Sequence, residues 1–110
     1  YRSVRIRELG AHATALPYLA FLRESPMRTI VLGRDHVVPV ALPNPARYAV
    51  HKVIVATLRS GTAPVKRDKD LRQAGVLMEM LAERDPEALG EAAADLPASA
   101  RARFRRTLLE

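Results

Sequence analysis

Apolar and polar residues alternate in short runs over the first part of the chain. Val4 and Ile6 alternate with arginines, and this period of two predicts a short extended segment that ends near Gly10. Residues 14–24 carry leucines and an aromatic residue at helical spacing, with Thr14 placed to cap the first turn. We therefore expect one extended segment and one short helix in this part of the chain.

Two runs rich in β-branched residues follow. Met27–Leu32 and His36–Val40 are separated by a Gly-Arg-Asp sequence that favours a turn. This pattern predicts a β-hairpin. Pro39 has no N–H to donate to a ladder, so the second strand should lie at an edge or leave the sheet at that point.

From residue 44 onward the apolar spacing changes to three and four residues, which is typical of amphipathic helices. Asn44 followed by Pro45 favours a helix start and Gly61 favours a helix stop, so a helix is predicted from Pro45 to Ser60. Its inward positions are predicted to be Ala49, Val50, Val53, Ile54 and Leu58.

Three further helical segments are predicted. A longer helix follows the link at residues 61–64 and runs to about Glu83, a third starts at Asp85-Pro86, and an arginine-rich terminal helix follows Pro97. The chain therefore predicts an α+β fold, with a small β-hairpin or edge sheet followed by a bundle of three to four helices. We interpret it as a single domain, with a β-containing part at residues 1–43 and a helical part at residues 44–110.

Composition and charge narrow the class of protein. The 110 residues are 48% hydrophobic and carry a net charge of +6, which favours a packed domain over a disordered chain. The charge is uneven, with +8 over residues 1–73, −5 over residues 74–96 and +3 over residues 97–110. A basic region such as residues 1–73 is typical of proteins that bind phosphate-bearing partners. Scattered surface arginines with no ligand give the same net charge.

Several other classes of protein are disfavoured. The chain has no cysteine, no pair of histidines at metal-ligand spacing, and no glycine-rich loop of the P-loop or dinucleotide type. Its apolar runs are far shorter than the roughly 18 residues that span a bilayer, so we expect a cytoplasmic protein that does not contact membranes. Because the first residue is Tyr1 and no leader follows, we also expect a fragment of a longer chain.

Charged residues interrupt the apolar faces of the first two long helices. Lys52 and Arg59 lie seven residues apart on one face of the first helix, one turn after Tyr48. Two cations on an otherwise apolar helix need water, a carboxylate or a ligand anion as partner. On the next helix Asp70 lies on the apolar stripe, four residues before Ala74, which is an unusual place for a carboxylate.

The partner of Asp70 is open at this stage. Lys66 precedes it by one turn, and Lys52 or Arg59 could reach it from the previous helix. A purely structural ion pair and a role in ligand binding are both compatible with the sequence.

These charged residues stand in two motifs. The first reads Pro-x-Pro-x-Arg-Tyr-Ala-x-His-Lys-x-Ile from Pro43, and the second reads Lys-x-x-Lys-Asp-Leu-x-Gln-Ala from Lys66. Over residues 14–84 the chain thereby resembles the C-terminal half of a bacterial group of nucleotidyltransferase-fold proteins, similar to the minimal and abortive-infection-type nucleotidyltransferases of the polymerase-β superfamily. The resemblance implies that five residues bind substrate or nucleotide: Lys52, Lys69 and Asp70 at the nucleotide pocket, with Arg47 and Arg59 as phosphate contacts.

The catalytic signature of that family, a Gly-Ser turn followed by metal-binding carboxylates, is not found in this sequence. The resemblance therefore implies a substrate-side portion, inactive alone, whose catalytic carboxylates and Mg²⁺ lie outside this chain. The implied reaction transfers a nucleotidyl group from an NTP to an acceptor such as RNA or a protein. The alternative is a non-catalytic module that binds RNA through its basic body, or a helical interaction domain.

Overall fold

The computed structural model describes residues 2–59 and 64–109. Its elements in chain order are β1 (Ser3–Ile6), one 3-10 turn (Arg7–Leu9), β2 (Ala11–Thr14), α1 (Leu19–Arg23), β3 (Met27–Leu32), β4 (Val37–Leu42), α2 (Pro45–Leu58), α3 (Pro64–Arg84), α4 (Pro86–Ala94) and α5 (Ala98–Leu109). The strands form two antiparallel hairpins, β1 with β2 and β3 with β4. The predicted α+β fold is confirmed.

The first hairpin bends at Gly10. Its φ of 57° lies in the left-handed region that glycine reaches without steric cost. β1 pairs with β2 from Ser3 opposite Thr14 to Ile6 opposite Ala11. The extended segment predicted at the start of the chain is therefore present, and it has a partner strand that the alternation pattern does not reveal.

The helix predicted over residues 14–24 is wrong at its start. Thr14 is the last residue of β2, and the helix is only Leu19–Arg23. The residue before it, Tyr18, has a φ of 58°, which an α-helix does not accommodate. The short helix buries Phe21 against the helical core.

The second hairpin is present as predicted, with β4 at Val37–Leu42 where His36–Val40 was expected, and its register explains how a proline is tolerated. The N–H of Gly33 donates to the carbonyl of His36 at 2.8 Å, which makes these two residues a hydrogen-bonded pair. Hydrogen-bonded and non-hydrogen-bonded pairs alternate in an antiparallel ladder, so Ile30 and Pro39 form a non-hydrogen-bonded pair. The nitrogen of Pro39 therefore faces away from β3, and the ladder loses no bond, as predicted for an edge strand.

α2 is the centre of the helical part and packs against α1, α3, α4 and α5. Val50, Val53 and Ile54 are 0–3% exposed, and each such side chain stabilises the fold by about 1.5–3 kcal/mol. The predicted inward face of this helix is confirmed. Around it lie buried side chains of the other helices and of the segment between α4 and α5: Phe21, Ala74, Leu81, Ala92, Leu96, Ala100 and Phe104.

The helix starts follow the predicted caps. Asn44 precedes α2 and Asp85 precedes α4, and each side chain accepts backbone N–H bonds from the first turn. α2 ends at Leu58, while the predicted stop at Ser60 and Gly61 lies outside the described residues. Within the described ranges, no helix is both long enough and apolar enough to cross a membrane.

Candidate functional site

The start of α2 determines on which side of the helix its charged residues lie. Asn44 Oδ1 accepts hydrogen bonds at 3.0 and 3.3 Å from the backbone N–H groups two and three residues later. This cap satisfies donors that have no partner within the helix and fixes where the helix begins. Tyr48, Lys52 and Arg59 then lie along the side of α2 that faces α3.

Asp70 of α3 joins the two cations of α2. Lys52 Nζ donates to Asp70 Oδ1 at 2.8 Å, and Arg59 Nε donates to Asp70 Oδ2 at 2.7 Å. Asp70 is only 4% exposed, whereas the side chains of Lys52 and Arg59 keep 20% and 26% of their surface in solvent. Of the three candidate partners, the structure selects the two on the preceding helix. The carboxylate is buried, and the cations that it holds reach the surface.

The electrostatics of this triad favour its charged form. Burial alone would raise the pKa of Asp70, but the hydrogen bonds from Lys52 and Arg59 outweigh burial and hold that pKa below its ordinary value. Burial would likewise lower the pKa of Lys52, but Asp70 and the nearby Tyr48 outweigh it and raise that pKa. The triad therefore carries a net charge of +1 across the neutral pH range.

Two clefts on the surface of α3 lie beside the triad. The first has a volume of about 380 Å³ and is lined by Tyr48, Arg72, Gln73, Val76 and Leu77. The second, of about 390 Å³, shares two of these residues and is lined by Val65, Asp68, Lys69, Arg72 and Gln73. Tyr48 connects the first cleft to the triad, because Lys52 Nζ lies 5.3 Å from the centroid of its ring.

Lys69 lies outside the triad although it is next to Asp70 in sequence. One residue along a helix is a rotation of about 100°, so its side chain lies on the exposed surface of α3 and lines the second cleft. Its ammonium group makes no ion pair with any residue of the described ranges. Lys69 is therefore an available cation beside a cleft.

Arg47 lies about 140° around α2 from Lys52. Its guanidinium donates to the carbonyl of Phe21 at 3.2 Å, lies 4.8 Å from the centroid of that ring, and forms ion pairs with Glu24 and Asp95. Arg47 is 8% exposed. It therefore links α1 and the end of α4 to α2, and the structure does not bring it together with the triad.

The described residues do not provide a metal site. They contain no group of three or more His, Cys, Asp or Glu side chains that could hold a metal ion. Both oxygens of Asp70 are engaged by cations, which does not fit a Mg²⁺ ligand.

His51 is buried and donates from Nε2 to the carbonyl of Pro17 at 2.9 Å, and burial lowers the pKa of its ring. This histidine has the packing role expected of an isolated one.

Two residues that line both clefts are not among the predicted substrate-binding residues. Gln73 is a fixed position of the second motif and Arg72 a variable one, yet neither residue type interrupts an apolar stripe in the way that Asp70 does. The signal that could have found Gln73 is its spacing, because it lies three residues after Asp70 and thus on the same side of α3.

The fold and the triad define a helical surface with a net positive charge and clefts beside it, which is suited to binding an anionic substrate. Residues 2–98 match the family described as nucleotidyltransferase. The match covers most of the chain, so this chain belongs to that nucleotidyltransferase family. No match was found among curated proteins or among solved structures. The resemblance to nucleotidyltransferases is confirmed at the level of the family, and the roles of individual residues stay predictions.

Proposed function

We propose that this chain supplies the nucleotide-binding side of an enzyme that transfers a nucleotidyl group from an NTP to an acceptor, with RNA or a protein as the acceptor class. The observation that carries this proposal is the triad, in which buried Asp70 fixes two partly exposed cations, Lys52 and Arg59, at one end of the α2–α3 pair.

The triad leaves donors available for phosphate. Lys52 uses one of the three N–H donors of its ammonium for Asp70, and Arg59 uses only its Nε, so the two terminal nitrogens of its guanidinium are not committed within the described ranges. Cations held in place before the substrate arrives stabilise the charge that develops on transferred phosphates. Lys69 adds an exposed positive charge beside the same surface.

The Mg²⁺ that such a reaction uses is proposed to be held by residues outside this chain, because the described residues do not fit it. Within the chain, Lys52, Arg59 and Lys69 bind and orient the phosphates, and Asp70 positions the first two of these. In this proposal Arg47 has a structural role, since its donors are engaged by α1 and α4.

Binding of inorganic triphosphate, measured by calorimetry, tests the proposal. Lys52→Gln and Arg59→Gln should each weaken binding roughly tenfold or more, because each removes a charged hydrogen bond to phosphate. Lys69→Gln should weaken it by about two- to fivefold, as expected for an exposed charge. The matched control is Arg84→Gln, which removes the same charge from the far end of α3 and should leave the affinity unchanged.

Two outcomes would contradict the proposal. One is equal loss of affinity in the Arg84→Gln control and in the triad variants, since this would show that only net charge matters. The other is a wild-type protein that binds RNA with a steep salt dependence but does not bind triphosphate, which would favour the non-catalytic RNA-binding alternative.

A further inference from the structure

The first cleft, defined above by Tyr48, Arg72, Gln73, Val76 and Leu77, has a mixed lining. Its volume of about 380 Å³ lies within the range of small-molecule sites, roughly 300–1,000 Å³. Most of its lining is apolar, from the aromatic ring and the two aliphatic side chains. The polar groups are an amide, which both donates and accepts hydrogen bonds, and a guanidinium.

The cleft adjoins the triad through Tyr48, which lines the cleft and contacts Lys52. Tyr48 lies one helical turn before Lys52 on α2, and the Lys52 ammonium lies 5.3 Å from the centroid of its ring. Gln73 lies one turn after Asp70 on α3. One turn is a rise of about 5.4 Å, so the cleft lies about one turn along each helix from Lys52 and Asp70.

The lining matches one kind of ligand. An aromatic side chain gives a flat surface on which a base packs, and an amide side chain reads the donors and acceptors on the edge of a base. An apolar cleft for a hydrophobic peptide would not need cations one turn away. A nucleotide, which has a flat base at one end and phosphates at the other, uses both features.

We propose that this cleft binds the base of the nucleoside triphosphate, with Tyr48 packed against the ring and Gln73 bonded to its edge. The inference rests on the proposed function, because it places the triphosphate of the same ligand against Lys52 and Arg59. Tyr48 is then a substrate-binding residue, and Gln73 determines which base is preferred.

The test compares ATP, GTP, CTP and UTP with inorganic triphosphate in calorimetric titrations of three proteins: wild type, Tyr48→Leu and Tyr48→Phe. Base packing on an aromatic side chain corresponds to a change in Kd of about 5- to 150-fold. Tyr48→Leu should weaken binding of the preferred NTP by that factor and leave the Kd of inorganic triphosphate within about twofold. Tyr48→Phe keeps the ring and should keep the affinity for NTP.

A second variant tests the same cleft in case Tyr48→Leu misfolds. Val76 is 63% exposed, so Val76→Trp should fold normally while it fills the cleft. It should weaken NTP binding and spare triphosphate. Gln73→Leu should reduce the ratio between the Kd values of the poorest and the preferred NTP.

Failure of this inference and failure of the proposed function give different results. If Lys52→Gln weakens binding of both NTP and triphosphate, but Tyr48→Leu and Val76→Trp change the Kd of neither ligand, the base lies elsewhere. In that case only the inference is overturned. Equal weakening of NTP and triphosphate by Tyr48→Leu also overturns it, because the ring would then act through Lys52. If the wild type binds neither ligand, the proposed function fails, and the inference fails with it.

Discussion

Replacing Asp70 by asparagine tests the central feature of the site. The substitution keeps the shape of the side chain, removes its charge, and puts an amide NH₂ where one carboxylate oxygen now accepts a bond from a cation. Because both carboxylate oxygens are engaged, at 2.8 Å by Lys52 and at 2.7 Å by Arg59, at least one charged hydrogen bond must be lost. We expect the variant to fold with reduced stability.

The size of the effect follows from burial. Removing one partner of a fully buried ion pair costs about 3–5 kcal/mol, because the other charge stays buried without compensation. Here the cations left behind, Lys52 and Arg59, have 20% and 26% of their side-chain surface exposed. Water therefore solvates them in part, and the cost is smaller than for a fully buried pair. Loss of one charged hydrogen bond alone costs about 1.5–3 kcal/mol. We therefore expect Asp70→Asn to lower the free energy of unfolding by about 2–3 kcal/mol.

Urea denaturation at neutral pH measures this change. With a slope of about 1–3 kcal/mol/M, a loss of about 2–3 kcal/mol should lower the midpoint by about 0.7–3 M. The matched control is Asp68→Asn, an exposed carboxylate on the same helix, which should change the free energy of unfolding by less than about 0.5 kcal/mol. Equal effects of the two substitutions, or a double-mutant cycle of Lys52→Met with Asp70→Asn that gives no coupling energy, would refute the reasoning.

Three further predictions concern pH, capping and Arg47. The folded-state pKa of Asp70 is lowered, so its carboxylate stabilises the fold fully above pH of about 4. The difference in unfolding free energy between wild type and Asp70→Asn should therefore persist above that pH and vanish as the pH falls through the folded-state pKa. Urea titrations at several pH values measure this difference. Asn44→Ala should cost about 1 kcal/mol in the same assay, because it removes the cap of α2. Arg47→Met should cost about 1–3 kcal/mol of unfolding free energy but leave triphosphate affinity within about twofold; a loss of affinity with no loss of stability would contradict its structural role.

The sequence predicts the long helices well because their starts are encoded locally. Asn44 and Asp85 each precede a proline and accept backbone hydrogen bonds as N-caps, so no distant contact is needed to define where these helices begin. The strand Ala11–Thr14 lacks such a signal. Its residues have modest strand preference, and its extended form depends on pairing with β1 after the turn at Gly10. Local patterns cannot reveal a strand that is defined by its partner.

For the site, the spacing on a single helix places Asp70 on a buried stripe but does not choose its partner. That choice depends on how α3 is rotated and shifted against α2, which is a tertiary property. The structure resolves it in favour of Lys52 and Arg59 over Lys66. Arg47 is a similar case. Its partners at the C-terminal ends of α1 and α4 are remote in sequence, and neither motif includes them.

α2 thus contributes to two ion clusters that differ in net charge. Around Arg47 one cation faces two carboxylates, Glu24 and Asp95, so the cluster has a net charge of −1 and repels a phosphate. Around Asp70 one carboxylate is shared by two cations, which gives +1 and leaves donors free. Since a triphosphate carries several negative charges, electrostatics favours the second cluster over the first as its proposed binding site. Under the proposed function, the sign of the local charge, more than the presence of an arginine in a motif, therefore predicts which of the two clusters binds the nucleotide.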